Sequence, residues 1–412
     1  MLSELPPVND RRLAVRVTPD ALRQIRGGHP WVYADSITSL SHAGACGDLA
    51  VVFDQRRKFA AIGLYDPRSP IALRIVHVGT PQPIDQAWWQ GRVEAAEELR
   101  RPLVEAETGD RPAYRLINGE NDRLGGFVAD RYGDTLVVKL YSPVWFPHLG
   151  QLVVALRRVT GASSVVLRLA RTVAAGATFG LSDGDVIAGQ LPDVPVRFTE
   201  GGLSFEADVR SGQKTGHFLD QRANRLRVGR LAAGADVLDL FASTGGFTVH
   251  AAAGGARSVH SVDLSAPTLA ATKGNLALNA HRSEVAACRC TSQVGDAFEV
   301  MSALARSGAH YDVVVVDPPS FAQKQASVDG AVRAYARLTH LALPLVRSGG
   351  VLVQASCSSR IPENVFFDTV LRAAALAGVE LAQIDRTGHD VDHPVTFPEG
   401  AYLKTGYWRV DP

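Results

Sequence analysis

Acidic residues stand at the ends of apolar runs in the C-terminal half of the chain. Asp239 closes one such run and is followed by a small-residue turn that contains Gly245 and Gly246. Asp263 closes the next run, 24 residues later. Open sheets of parallel strands bind ligands at the carboxyl ends of their strands, and glycines let the backbone approach a ligand closely. A carboxylate at Asp263 could accept hydrogen bonds from two ribose hydroxyls, which predicts a cofactor that contains a nucleoside.

The turn after Asp239 also indicates which kind of cofactor this is. It lacks the G-x-G-x-x-G spacing that places a pyrophosphate at a helix N-terminus. The carboxylate of Asp239 would repel a phosphate, whereas it would suit a ligand with an amino group and a sulfonium. The pattern therefore favours S-adenosylmethionine over a nicotinamide dinucleotide. The alternative is an ordinary strand-to-helix turn that binds nothing.

Two further acidic residues fit the same predicted site. Asp296 precedes a predicted helix, where it could accept a hydrogen bond from an adenine amino group. Asp317 ends the run YDVVVV, and the two prolines that follow stiffen the chain just past the sheet. Either residue alone could be a helix cap or a turn residue. Four such acids in one predicted sheet favour a common binding site.

Cys357 ends another apolar run, GGVLVQAS, and so is expected at the same edge of the sheet. A single cysteine is most often a small core residue, but a thiolate here would be a strong nucleophile. Beside S-adenosylmethionine, that chemistry suits methylation at pyrimidine C5, because thiolate addition at C6 makes C5 nucleophilic. Asp317 is placed to act as the acid that promotes the addition. Cys46, Cys288 and Cys290 lack such a context, and we interpret them as structural; no metal site is expected.

Three zones of different character must position these residues. Residues 11–80 contain short β-like runs between Gly- and Pro-containing turns, which predicts a small barrel. Residues 84–192 mix helical and strand-like segments, a pattern typical of a small α+β domain. In residues 195–412, short apolar runs alternate with helical stretches, which predicts βαβ units around a buried parallel sheet. The C-terminal AYLKTGYWRV is expected to add a last, antiparallel strand.

Composition narrows the class of protein. The 412 residues are 46% hydrophobic and 21% charged, which excludes wholesale disorder. Four cysteines are too few for a disulfide framework at this length. There is no apolar stretch of membrane-spanning length, and the first residues do not resemble a signal peptide. We therefore expect a reduced, cytoplasmic enzyme.

The net charge of +1 hides a local asymmetry. Residues 11–80 contain ten Lys or Arg and five Asp or Glu, whereas residues 84–197 and 198–412 are each close to −1. A basic module suggests contact with a polyanion. A solvated basic surface without a partner is the alternative.

Several longer motifs match a known family. They are the GHPWVY of residues 28–33, GENDRL of 119–124 with DRYGD of 130–134, GQKTGHFLDQRANR of 212–225, and the strand ends at 239–247, 317–321 and 356–358. On these motifs the chain resembles the RlmI-type 23S rRNA (cytosine-C5) methyltransferases over nearly its whole length. That resemblance implies an α/β fold: a PUA domain, a central α+β domain and a class I (Rossmann-like) methyltransferase domain.

The resemblance also implies a set of site residues and partners. Cys357 would be the nucleophile, and the PUA domain would hold the rRNA of the large ribosomal subunit. A homodimer stays open. The residues expected to line or border the S-adenosylmethionine site are Phe218, Arg222, Asp239, Gly245, Asp263, Asp296 and Asp317.

Alternatives from other classes remain at this stage. An S-adenosylmethionine-dependent N-methyltransferase acting on RNA would keep the cofactor but would need no thiol. A non-catalytic RNA-binding assembly factor would need neither the strand-end acids nor the cysteine. A nicotinamide oxidoreductase is disfavoured by the absent glycine spacing.

Overall fold

The computed structural model describes residues 2–191, 195–322 and 325–411. The chain divides into two compact units. The first contains the residues up to Thr199 together with Ala207–Leu219 and Val391–Gly400, and the second contains Glu200–Glu206, Asp220–Asp390 and the chain from Ala401 onward. No helix in the described part of the chain is both long and apolar enough to cross a membrane.

The first unit begins with a six-stranded sheet. Its strands are β1 (Leu13–Val17), β2 (Trp31–Tyr33), β3 (Ile37–Leu40), β4 (Leu49–Phe53), β5 (Phe59–Tyr65) and β6 (Ile71–Val78), in the order β2-β6-β5-β4-β1-β3. All neighbours are antiparallel except β1 and β4. Helix α1 (Pro19–Arg26) is capped at its N-terminus by Thr18, whose hydroxyl accepts a hydrogen bond from the backbone N–H of Ala21. Short strands between glycine and proline turns thus form the predicted N-terminal β module.

A second sheet of five strands completes the first unit. Its strands are β7 (Ala113–Asn118), β8 (Phe127–Tyr132), β9 (Thr135–Leu140), β10 (Ser164–Leu169) and β11 (Val186–Ala188), and its helices are α2 (Gln86–Ala106), α3 (Leu149–Thr160) and α4 (Arg171–Ala174). The strand order is β11-β10-β9-β8-β7. One hydrophobic cluster contains Leu49 and Val76 of the first sheet together with Trp89, Phe127 and Trp145 of this region. The two sheets of the unit therefore share part of their core.

A late segment of the chain also belongs to the first unit. The buried carboxylate of Asp392 accepts a hydrogen bond from the backbone N–H of Arg115 at 3.1 Å, and its carbonyl accepts one from the buried guanidinium of Arg100 at 3.0 Å. The amide of Asn118 donates to the carbonyl of Pro394 at 3.1 Å. Residues 391–400 are therefore held by polar contacts to α2 and β7, far away in the sequence.

Two strands, β12 (Val196–Glu200) and β13 (Leu203–Ala207), form a small sheet where the chain passes between the units. The second unit then alternates strands and helices. They are α5 (Arg222–Leu231), β14 (Asp236–Leu240), α6 (Gly246–Ala253), β15 (Ser258–Asp263), α7 (Ala266–Leu278), α8 (Ser283–Ala287), β16 (Arg289–Val294), α9 (Ala297–Arg306), β17 (Tyr311–Val316), α10 (Val328–Ala342), β18 (Val346–Cys357), α11 (Glu363–Leu376), β19 (Glu380–Thr387) and β20 (Leu403–Asp411).

These strands form one seven-stranded sheet in the order β16-β15-β14-β17-β18-β20-β19. The five neighbours from β16 to β18 are parallel, and β20 pairs antiparallel with both β18 and β19. The predicted βαβ alternation and the predicted antiparallel C-terminal strand are both confirmed. Helix α5 begins at Arg222, after a short 3-10 turn at Leu219–Gln221.

The central strands of this sheet consist of apolar runs because helices cover both faces of the sheet. Successive side chains of a strand point to opposite faces. Leu238 and Val314 accordingly pack in a core with α9, α10 and α11, whereas Val237 and Val313 pack in a second core with α5 and α6. Because both faces are buried, the central strands read as continuous rather than alternating apolar sequence.

The amino ends of the central strands are joined by ion pairs. The guanidinium of Arg257 contacts both carboxylate oxygens of Asp236, at 3.0 and 2.5 Å, and Arg347 reaches the same carboxylate at 3.0 Å. Ser258 donates a further hydrogen bond at 2.6 Å. The bonds from Arg257, then those from Ser258 and Arg347, hold the pKa of Asp236 well below its usual range.

This cluster should make the fold sensitive to acid. A lowered carboxyl pKa gives stability that is present above the unfolded-state pKa and is lost as the pH falls through the folded-state pKa. Asp236→Asn should therefore lower the free energy of unfolding by about 1–2 kcal/mol at pH 7. In urea unfolding, the gap in free energy of unfolding between variant and wild type should be smaller at pH 3 than at pH 7. An equal gap at both values would contradict the assignment.

Candidate active site

The parallel strands bring the predicted site residues to one edge of the sheet. In the β14–β15 ladder Asp239 is paired with Ser261, so Asp263 lies two residues further along. Asp317 follows β17, the other neighbour of β14, and Cys357 is the last residue of β18, the next strand across. Asp296 lies two residues beyond β16, on the far side of β15. Five adjacent strands thus end in the four predicted acids and the predicted nucleophile.

Asp239 is fully buried at the centre of this edge. One carboxylate oxygen accepts a hydrogen bond from the Thr248 hydroxyl at 2.6 Å, and that hydroxyl also lies 2.7 Å from the Ser261 hydroxyl. The other oxygen, Oδ1, is buried and has no hydrogen-bond partner among the described residues. Burial, together with the neighbouring carboxylates of Asp317 and Asp263, raises the pKa of Asp239 to about 7. A cationic ligand would give this oxygen a partner and would lower the pKa of Asp239.

The turn after Asp239 has an unusual backbone. Phe241 and Ser243 adopt positive φ angles of 63° and 50°, and Gly245 follows at 81°. A Cβ on Gly245 would lie 2.4 Å from the side chain of Thr272, so only glycine fits between this turn and α7. Positive φ at non-glycine residues is costly and concentrates at functional sites. The turn therefore has the form expected of a ligand cradle.

Side chains from the next βα unit hold this turn in place. Asp263 accepts a hydrogen bond from the backbone N–H of Ser243 at 2.8 Å. Asn275 on α7 donates to the carbonyl of Thr244 at 2.9 Å, and Thr272 donates to the carbonyl of Ser243 at 3.1 Å. Asp263 thus fixes the cradle while remaining half-buried beside it.

The outer part of the edge is apolar and open. Asp296 is exposed and caps α9, accepting hydrogen bonds from the backbone N–H groups of Phe298 and Glu299. The side chains of Leu264 and Val294, directly after Asp263 and at the end of β16, are 73% and 55% exposed. Exposed apolar side chains beside hydrogen-bonding carboxylates suit the faces and edge of a nucleobase.

Cys357 and Asp317 are brought together at the other side of the edge. The thiol of Cys357 lies 3.9 Å from a carboxylate oxygen of Asp317. The side-chain amide of Gln221 donates to the same oxygen at 2.7 Å and lies 3.9 Å from the sulfur. Asn224 in turn donates to the oxygen of Gln221 at 2.6 Å. The candidate nucleophile and the candidate acid therefore share a hydrogen-bonded group.

The two arginines of the 212–225 motif are buried rather than surface charges. Arg222 pairs with Asp390 at 3.0 Å. Arg225 pairs with the buried carboxylate of Glu200 at 2.5 Å, and a Cβ on Gly246 would lie 2.5 Å from its side chain. Phe218 belongs to the first unit, where the Lys214 ammonium lies 4.2 Å from the centre of its ring.

Sequence reasoning missed two residues of this site. Gln221 lies within a quoted motif, but nothing in its spacing indicated a contact with Asp317. Lys404 is buried on β20, and its ammonium donates hydrogen bonds to the carbonyls of Ser358 and Tyr402. The available signal was a lysine that directly follows Leu403 at the start of the C-terminal strand.

The residues present fit S-adenosylmethionine. The unpaired buried oxygen of Asp239 suits a cationic group, and the glycine cradle admits a ligand close to the backbone. Among the residues that the structure describes, there is no group of three His, Cys, Asp or Glu side chains that could hold a metal ion.

Comparison with known proteins assigns the fold. Residues 122–400 match the family described as S-adenosylmethionine-dependent methyltransferase, and residues 15–77 match a PUA-like domain. A solved structure from Streptococcus mutans, assigned as a SAM-dependent methyltransferase, has a TM-score of 0.79 at 20% identity and covers 96% of this chain and 99% of its own. The protein SMU.776, solved in complex with SAH, has a TM-score of 0.80 at 21% identity, with 97% and 99% covered. The fold is that of a methyltransferase with an N-terminal PUA-like domain.

Relatives with higher identity extend over nearly the whole chain. The "Ribosomal RNA large subunit methyltransferase" of Deinococcus radiodurans is 44% identical over 409 residues, 98% of this chain and 99% of the relative. The "Ribosomal RNA large subunit methyltransferase I" of Escherichia coli K12 is 33% identical over 384 residues, 93% and 95% of the two chains. The chain therefore belongs to this family of S-adenosylmethionine-dependent methyltransferases, and S-adenosylmethionine is its cofactor.

The raised pKa of Asp239 predicts a pH dependence of stability without cofactor. A carboxyl pKa raised by folding gives stability that is full below about pH 4 and is lost as the pH rises through about 7. Asp239→Asn keeps the shape and removes the titration, so it should gain roughly 3 kcal/mol on wild type between pH 4 and pH 8.5. Denaturant unfolding at both pH values measures this. A constant difference would mean that Asp239 does not titrate in this range.

Proposed function

We propose that the protein forms 5-methylcytosine in the rRNA of the large ribosomal subunit. The observation that supports this reaction is the Cys357 thiol lying 3.9 Å from the Asp317 carboxylate, at the edge of the sheet that also holds the glycine cradle. Methylation of an exocyclic or ring nitrogen needs no thiol, whereas C5 of cytosine must first be activated by a nucleophile at C6. The rRNA substrate is proposed from the names of the relatives.

The chain's own groups would perform the covalent steps. The thiol of Cys357 first loses its proton, and the thiolate adds to C6 of cytosine. The electrons of the C5=C6 bond move toward N3, where Asp317 acts as the acid that supplies a proton. When bound, S-adenosylmethionine would supply an electrophilic methyl group to C5 and leave as S-adenosylhomocysteine, and the proton on N3 would return to Asp317. A base then removes the proton from C5, and elimination breaks the C–S bond and frees Cys357.

We assign roles in cofactor binding by chemistry and position. Asp239 would meet the cationic end of the cofactor, Asp263 its ribose hydroxyls and Asp296 its adenine amino group. Gly245 would let the backbone approach, and Asp317 would border the methyl group and the cytosine. Phe218 and Arg222 complete the proposed set. Gln221, which bridges Asp317 and Cys357, would keep the acid oriented.

The N-terminal region would bind the RNA. We propose three functional parts with the boundaries 11–80, 84–192 and 195–412, of which the first is basic. Arg56, Arg57 and Lys58 form an exposed turn between β4 and β5. The carboxylate of Asp54 closes that turn by accepting hydrogen bonds from the backbone N–H groups of Arg56 and Lys58, which leaves the basic side chains outward. Action on rRNA would place the protein in the cytoplasm.

The nucleophile is tested by replacing Cys357. Cys357→Ala should reduce 5-methylcytosine formation by roughly 10³-fold or more, because the step that activates C5 is lost. Its affinity for S-adenosylhomocysteine, measured by calorimetry, should stay within about twofold. The readout is mass mapping of rRNA nucleosides from cells that carry only the variant. Cys290→Ala, on the edge strand β16, is the matched control and should retain activity.

The same experiment separates the alternatives. Full activity in Cys357→Ala would remove the cysteine mechanism, and a methyl group on nitrogen would indicate N-methylation. Unchanged rRNA on deletion of the protein, together with no cofactor binding, would favour the assembly factor.

Reversing the charge of the exposed basic turn tests whether this surface binds RNA. Changing Arg56, Arg57 and Lys58 to Glu should weaken RNA binding by roughly tenfold or more at 100 mM salt and reduce its salt dependence, because phosphate contacts are lost. Cofactor affinity should not change. The matched control reverses three exposed arginines elsewhere, Arg158, Arg306 and Arg372. Equal losses in both triple variants would mean that net charge alone is responsible.

A further inference from the structure

Lys404 lies next to the candidate nucleophile. It is on β20, directly opposite Ser356 of β18, and the neighbouring pair in the ladder is Leu403 with Cys357. Its side chain is buried, with only 4% of the residue exposed. The ammonium donates hydrogen bonds to the carbonyl of Ser358, the residue after Cys357, and to the carbonyl of Tyr402 at 3.1 Å. The charge of Lys404 is therefore held at the end of β18.

This buried charge lacks a carboxylate partner. In the described ranges, no Asp or Glu oxygen lies within 4.0 Å of the Lys404 nitrogen. Carbonyl dipoles alone leave a buried ammonium poorly compensated. Burial lowers the pKa of Lys404 to about 8, and the group that opposes this most strongly is Cys357, followed by Glu363.

The other titratable groups that face this pair have opposite effects. Asp317, 3.9 Å from the sulfur, disfavours a thiolate when it is ionised, and no longer does so once it carries the proton that the proposed acid step requires. Tyr335 on α10 is buried, which raises its pKa to about 12, so its phenol stays neutral. Glu363 at the start of α11 is exposed. Lys404 places a cation at the end of the strand that carries Cys357.

We propose that Lys404 is the counter-ion that stabilises the Cys357 thiolate, an inference that rests on the proposed role of Cys357 as nucleophile. The thiol proton leaves to water, and the buried ammonium stabilises the half-buried thiolate that remains. Lys404 acts through Cys357, so it is a positioning residue. The pairing explains how the thiol could ionise although a carboxylate lies beside it.

The test measures the thiol directly, without RNA or cofactor. Alkylation of Cys357 by iodoacetamide, followed between pH 5.5 and 9.5 by mass spectrometry of its peptide, gives the apparent pKa of the thiol. Lys404→Met should raise that pKa by at least about one pH unit, and so slow alkylation at pH 7 about tenfold. Lys404→Arg should restore the wild-type profile. Lys273→Met, an exposed lysine on α7, is the matched control and should have no effect.

Cys46 reports on the fold in the same digest, because partial burial raises the pKa of its thiol to about 12 and should keep it unreactive. An unchanged profile of Cys357 in Lys404→Met, with Cys46 protected, would overturn the proposal. If that variant unfolds, the reciprocal measurement decides. In Cys357→Ser, the pKa of Lys404, followed by NMR after ¹³C reductive methylation, should fall; no fall would overturn the pairing.

The outcome is distinguishable from failure of the proposed function. Retained 5-methylcytosine formation in Cys357→Ala would remove the catalytic role of the thiol, whatever its pKa. A changed alkylation profile in Lys404→Met would still establish the ion pair.

Discussion

Parallel hydrogen bonding between five adjacent strands is the constraint on which the site depends. Because β16, β15, β14, β17 and β18 run in the same direction, each must end at the same edge of the sheet. Neighbouring strands lie about 4.8 Å apart, so a residue after one strand is automatically close to a residue after the next. Cys357 and Asp317, 40 residues apart in sequence, meet for this reason. The loops then determine only the local conformation around each of these residues.

The most demanding local detail is the environment of Asp239. A fully buried carboxylate with one unpaired oxygen destabilises the fold, and the positive φ angles of Phe241 and Ser243 add to that cost. The buried pair of Arg225 and Glu200 and the ladders around β14 must offset it. In the proposed mechanism the charges are sorted by strand: carboxylates at the centre receive a cationic cofactor, and the ammonium on β20 compensates a thiolate. One edge of the sheet can therefore hold both carboxylates and an ammonium without direct pairing between them, because they lie on different strands.

The sequence predicted those parts of the site that depend on local pattern. An apolar run that leads up to Asp239, Asp263 or Asp317 predicts both a strand and the place where the strand ends. The acidic residue is then expected at the binding edge of the sheet. Gln221 could not be found in this way, because its contact with Asp317 spans 96 residues and comes from a 3-10 turn that lies outside the strands. Lys404 was missed because a charged residue in a C-terminal strand suggests an exposed edge. In the structure β19 covers that edge, so β20 and its lysine are interior.

Residues 391–400 have a consequence for how the chain is made. They lie between β19 and β20 of the second unit, yet they belong to the first, where Asp392 satisfies the backbone of β7 and the guanidinium of Arg100. Domains generally fold as units while synthesis proceeds from the N-terminus. Here the first unit lacks this segment until residues 391–400 have been synthesised. Until then Arg100 and the backbone N–H of Arg115 stay incompletely paired, because their partner Asp392 follows 292 and 277 residues later in the chain.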